Sequence, residues 1–132
     1  MGFIAAILPR WEEPMDAPQA QALADAWIQG WNQRDAEAVL AHYSEDVEFR
    51  SPLAARLTGE PSGIVRGKQN LREYFGKALA AFPGDINIEL LDVYQGVDSL
   101  LVQFQAKGRQ AIEVMELNQE GKVRRANTLG KI

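Results

Sequence analysis

The chain of 132 residues contains no cysteine and a single histidine, His42. The first absence excludes a disulfide scaffold and every Cys-ligated metal site. The second excludes His-paired zinc sites and leaves a Ser-His-Asp triad with one candidate. No metal ligand set and no cofactor is expected. Basic residues are also outnumbered: 14 Lys and Arg against 18 Asp and Glu give a net charge of −4. That balance argues against a nucleic-acid partner, which calls for a concentrated basic face. Long apolar runs are missing as well, since none reaches the ~18 residues of a membrane helix. The opening run Met1–Leu8 is apolar but short, lacks a positive start, and is followed by Pro9, Arg10 and Trp11. No small-x-small cleavage pattern follows it. Gly2 with Ala6 does not fit the myristoylation pattern. Residues 1–16 are therefore expected to form an N-terminal extension of a cytoplasmic protein with no membrane partner.

What is present supports a core. Leu, Ile, Val and Phe together number 34, above the level at which chains fail to fold. At this length a single domain, 17–132, is the default, burying roughly two-thirds of the unfolded surface. A first helix is expected over about Pro18–Gly30, capped by Asp16 with Gln19 as capping-box partner. Leu23, Ala24, Trp27, Ile28 and Trp31 give it one apolar face. Asp35 then caps a short helix over Ala36–Tyr43. Val47–Ser51 reads as a strand stopped by Pro52. The stretch Pro52–Gly67, with two Pro and three Gly, reads as a long loop, a length common to lids. A third helix is expected over Lys68–Phe82, ended by Pro83-Gly84, with Leu71, Phe75, Leu79 and Phe82 facing inward.

From there the period becomes strand-like. Strands are expected over Ile86–Tyr94, Leu100–Lys107, Gln110–Asn118 and Lys122–Leu129. Gly108-Arg109 suits a two-residue hairpin with Gly at its first central position. Helices followed by an antiparallel meander make an α+β domain. In Ile112–Leu117 one face carries Ile112, Val114 and Glu116, and the other Glu113, Met115 and Leu117. A sheet apolar on both faces needs two covers. Helices cover one, and a second copy of the chain is the simplest cover for the other, so a homodimer packed through the sheet is expected.

Several segments, in order, resemble the nuclear transport factor 2-like superfamily and its SnoaL-like group. They are Trp31-Asn32-Gln33-Arg34-Asp35, Tyr43-Ser44-Glu45-Asp46-Val47-Glu48-Phe49 leading to Ser51-Pro52, Gly67 opening Leu71-Arg72-Glu73-Tyr74-Phe75, and the Gly121-Lys122-Val123 turn. The resemblance covers about Ala20 to Leu129. It implies a curved antiparallel sheet wrapped around the N-terminal helices as a cone, with a single apolar pocket, usually in a dimer. Members include ketosteroid isomerases, scytalone dehydratase, polyketide cyclases, limonene-epoxide hydrolases and non-catalytic binding modules, so the fold does not fix the activity.

The resemblance also places residues. Where the isomerases have a carboxylate base before the Pro that ends the first strand, this chain has Ser51, and a hydroxyl is no unaided base near neutral pH. Trp27 stands at the position of their oxyanion Tyr and offers only an N–H. Tyr43 matches a pocket-lining aromatic, and Phe75 replaces a supporting Tyr. Counting back from Gly121-Lys122 puts Glu113 at the place of their protonated carboxylic acid. Independently, Glu113 shares its strand face with Met115 and Leu117, where desolvation raises a carboxyl pKa. A neutral Glu113 can donate a hydrogen bond or a proton; the alternative is an ion pair with Arg109, Arg124 or Arg125. Arg124 and Arg125 are expected on opposite faces, as are Asn127 and Thr128. No inward Asp supports the two-Asp epoxide hydrolase site, and an outward His42 at a helix end speaks against the dehydratase site. Trp27, Trp31, Phe49, Tyr74 and Phe104 are expected to serve both core and pocket.

The expected pocket is therefore Trp27, Trp31, Tyr43, Phe49, Ser51, Tyr74, Phe75, Phe104, Met115 and Thr128, with Glu113 as acid or donor. Its partner would be a small hydrophobic, carbonyl-bearing molecule of polyketide, steroid or terpenoid type. Cofactor-free isomerisation, cyclisation, dehydration or hydrolysis would follow from it. A non-catalytic ligand-binding or dimerisation module is the second reading.

Overall fold

The computed structural model describes residues 16–132. The expected extension, except for Asp16, lies outside the described residues. Helix α1 spans Ala17–Asn32. Asp16 caps it by accepting from the Gln19 N–H at 2.9 Å, while the Gln19 side chain accepts from the Asp16 N–H. The capping box thus satisfies two donors that the first helical turn leaves open. Trp27, Ile28, Ala24 and Ala20 make its buried stripe.

Helix α2 is short, Ala36–Leu40, and starts from the Asp35 cap. It stops earlier than expected because strand β1 already begins at Tyr43 and runs to Arg50. The expected loop after Pro52 is folded into helix α3 (Pro52–Thr58) and strand β2 (Ile64–Arg66). Ser51 caps α3 by accepting from the Leu53 N–H, and Pro52 takes the first turn, where its missing N–H costs nothing. Gly59, at φ +79, ends the helix in the left-handed region. Helix α4 follows over Lys68–Ala81, one residue short of the expected end. Phe82 is its C-cap and is 46% exposed rather than buried.

Strands β3 (Glu89–Gln95), β4 (Ser99–Ala106), β5 (Arg109–Leu117) and β6 (Val123–Gly130) complete the chain. The order across the six-stranded sheet is β2-β1-β6-β5-β4-β3. All neighbours are antiparallel except β1 and β6, which pair in parallel. That pairing joins the first strand to the last and is not part of a simple meander. The β4–β5 turn is Lys107-Gly108, both at positive φ, not Gly108-Arg109. Two left-handed residues give the type I′ geometry that matches strand twist. The shift moves Arg109 into β5.

The turn between α1 and α2 anchors the far wall. Asn32 both donates to and accepts from the backbone of Ile88. Arg34 donates to the carbonyls of Leu79, Phe82 and Gly84 at 2.7–2.9 Å, closing the open C-terminal end of α4. The core lies between the helices and the inner sheet face, with Tyr43, Phe75, Leu40, Leu71 and Met115 fully buried. No helix among the described residues is long and apolar enough to cross a membrane.

Candidate functional site: an apolar cavity with an acid at its floor

A cavity of about 660 Å³ opens between α1, α3, α4 and the inner sheet face. Of the expected pocket residues, Trp27, Trp31, Phe49, Ser51, Tyr74, Phe75, Phe104 and Thr128 line it, together with Glu113. Tyr43 and Met115 do not; both are fully buried behind the lining. The aromatic wall is a connected set of edge-to-face contacts. Trp27 meets Phe104 at 5.3 Å, Trp31 meets Phe75 at 4.8 Å, and Phe49 meets Phe75 at 5.7 Å. Such pairs fix ring orientation as well as burying area. The Trp27 N–H donates to the Tyr43 hydroxyl at 3.1 Å, so it is already engaged within the protein.

Glu113 is 2% exposed and sits directly across from Thr128 in the β5–β6 ladder. The Thr128 hydroxyl lies 3.0 Å from both carboxyl oxygens. None of Arg109, Arg124 or Arg125 pairs with Glu113. Arg124 and Arg125 instead both reach Glu116, at 3.1 and 3.6 Å. Their expected placement on opposite faces fails because the β5–β6 register shifts there, leaving both between inward Val123 and Ala126. Without a cation, burial pushes the Glu113 carboxyl up to about 8, and the Thr128 hydrogen bond only partly opposes it. At neutral pH this acid is mostly protonated. One hydroxyl hydrogen cannot serve two oxygens fully, so Thr128 leaves part of the hydrogen-bonding capacity of the carboxyl unused.

Burial also pushes Tyr74 up to about 12, against the opposing effect of the neighbouring Ser51 hydroxyl. Ser51 is occupied as the cap of α3. His42 is half-buried outside the lining, and burial lowers its pKa, with Lys122 contributing. Among the described residues, no other Asp, Glu or His lines the cavity, and no cluster of His, Cys, Asp and Glu could hold a metal ion.

The expected set lacked the residues at the mouth. Ile86, Ile88 and Phe82 form one lip, and Arg56, Lys107 and Arg109 stand at the rim. Ile86 and Ile88 fall in the expected strand Ile86–Tyr94, but the observed β3 starts only at Glu89 and leaves both in irregular backbone. Arg109 was legible from alternation along β5 once the turn is placed one residue earlier.

The sheet, its helical cover and the pocket define the nuclear transport factor 2-like cone. The chain belongs to the SnoaL-like domain family, whose model matches residues 24–128. A SnoaL-like protein of unknown function from Burkholderia thailandensis is 35% identical, covering 91% of this chain and 100% of its own, with a TM-score of 0.85. A candidate isomerase of the SnoaL-like family from Agrobacterium tumefaciens is 17% identical (TM-score 0.70), covering 87% of this chain and 99% of its own. A candidate ketosteroid isomerase from Kribbella flavida is 19% identical (TM-score 0.60), with coverages of 87% and 79%. The last two share the fold. No curated protein matches the chain significantly.

Proposed function

We propose that this protein binds a small hydrophobic molecule through a carbonyl group, with Glu113 as the hydrogen-bond donor. The observation that carries the reading is a buried carboxyl at the floor of an apolar cavity, with no cation beside it, which burial pushes up to about 8. A carbonyl oxygen is the complement of such a donor, and the apolar surroundings strengthen the bond. The aromatic wall suits a polyketide, steroid or terpenoid skeleton. The names of the Agrobacterium and Kribbella relatives fit an isomerase that uses the acid to polarise its substrate.

One observation favours the second reading, a ligand-binding module without turnover. The lining offers no second acid or base to work with Glu113: burial holds the Tyr74 hydroxyl near 12, and Arg56, Lys107 and Arg109 are basic side chains. Carbonyl binding is common to both readings, and acid-assisted chemistry needs a base from the substrate or from a residue outside the lining. The test is the infrared C=O stretch of an isotope-labelled long-chain methyl ketone. Bound to the protein, it should fall below its value in hexane, and the fall should vanish in Glu113→Leu. An unshifted carbonyl in the bound complex contradicts the reading.

The outer sheet face supports a homodimer. Tyr94, Leu101 and Val114 align across β3, β4 and β5, and Ile112 aligns with Leu129 on β6. Tyr94 is 57% and Leu129 45% exposed. An apolar patch of this kind, rimmed by polar residues, marks an association surface.

A further inference from the structure

Three cations from two separate segments converge on the cavity mouth: Arg56 of α3, and Lys107 and Arg109 of the β4–β5 hairpin. All three are exposed, and none has an ion-pair partner among the described residues. Four other arginines are paired, Arg66 with Glu48, Arg72 with Glu37, and Arg124 and Arg125 with Glu116, while Arg34 is held by backbone carbonyls and Arg50 is exposed away from the cavity lining. In a protein of net charge −4, an unpaired cationic rim is a local departure from the overall sign. The cavity holds one acid, Glu113, and it lies at the opposite pole.

Alternation along β5 fixes the distance between the poles. Arg109, Ala111 and Glu113 occupy the same strand face and all line the cavity. Four residues at roughly 3.3 Å each put about 13 Å between the Arg109 and Glu113 backbones. The surface between them is apolar: Ala111 on β5, Phe104 and Ala106 on β4, and Ile88 beyond. The only causes of the Glu113 shift are burial and Thr128, which agrees with a rim too distant to hold the acid ionised.

We propose that the ligand is an amphiphilic anion, with its carbonyl end at Glu113 and a carboxylate at the rim formed by Arg56, Lys107 and Arg109. This deepens the carbonyl-binding reading and rests on it. Guanidinium groups suit a carboxylate because their N–H pairs can grip both oxygens, while Lys107 adds a point charge. An apolar body of about that length crosses the gap between the poles.

The probe is oxododecanoate with a methyl ketone at one end and a carboxylate at the other. Its methyl ester and plain dodecanoate are the controls, and affinities are read by calorimetry. The keto acid should bind at least tenfold tighter than its ester, and added salt should shrink that preference because the rim is solvated. Replacing the rim by Arg56→Gln, Lys107→Gln and Arg109→Gln together should abolish the preference, bringing acid and ester to equal affinity. Arg109→Gln alone should give a partial loss. Equal binding of acid and ester to the unmodified protein overturns the anion proposal and leaves the carbonyl reading standing. So does a preference that survives the triple replacement. Plain dodecanoate binding as tightly as the keto acid overturns the carbonyl reading and leaves the rim assignment. Binding of none of the three overturns both.

Discussion

Among single residues, Glu113 and Thr128 set the chemistry of the cavity floor. Their pairing was half legible in the sequence. Glu113 shares a strand face with Met115, and that alone suggested a desolvated acid. Its partner was not legible, because the β5–β6 register sets which residue lies opposite, and the shift near Glu116 is invisible in the residue order. Thr128 lowers the Glu113 pKa from the value that burial alone would give. Thr128→Val should therefore raise it further, read by NMR titration of the carboxyl carbon. A fall would mean that Thr128 is not the hydrogen-bond donor. The raised value also has a stability consequence. The folded acid keeps its proton up to about pH 8, while the unfolded chain loses it near its ordinary value of 4.5. Between these limits the folded state binds more protons, so this group's contribution is full below the lower limit and is lost as pH rises to the upper one. The slope is at most about 1.4 kcal/mol per pH unit. Glu113→Gln should flatten it, so that urea denaturation at pH 5 and pH 8 differs less in the variant than in the parent. An unchanged pH profile would show that the acid is ionised throughout.

At the scale of elements, local signals worked where local chemistry decides. The Asp16-Gln19 capping box and the Asp35 cap both mark real helix starts. Ser51-Pro52 carries an equally good start signal, yet the surrounding Gly and Pro made the segment read as a loop. The hairpin was displaced by one residue because Lys107 adopts the left-handed region, which few non-Gly side chains visit. The parallel β1–β6 pair depends on contacts far apart in sequence, and no local pattern announces it. Arg34 shows what the Trp31–Asp35 segment does: it ties α4 and the cavity lip to the α1–α2 turn through three carbonyls. Arg34→Ala should cost about 2 kcal/mol in urea denaturation, as expected for hydrogen bonds to a charged group. A cost near zero would mean water replaces the guanidinium without loss. Gly63 is tighter still: an added Cβ would lie 2.5 Å from the Ser51 carbonyl oxygen, at φ +69. Gly63→Ala should destabilise by roughly 1–3 kcal/mol or more, visible as a lower melting temperature.

For the whole molecule, the curved sheet has two faces with different tasks. The inner one builds the core and cavity. The outer one presents Ile112 and Val114, from which the sequence implies a second cover, and the register adds Leu101 and Tyr94 beside them. Light scattering at micromolar concentration should give a dimer for the parent and a monomer for Val114→Glu, since a buried unpaired charge at the centre of the patch opposes association. A monomeric parent would contradict the dimer.

The ligand chemistry of the cavity depends above all on whether the acid at its floor keeps its proton. Isotope-edited NMR titration of the Glu113 carboxyl, assigned with Glu113→Gln, tests it without any guess at the ligand. The midpoint is expected near pH 8, well above the ~4.3 of a free Glu. A midpoint at or below that reference would mean a solvated or cation-paired carboxylate, and would contradict Glu113 as the donor that receives a carbonyl.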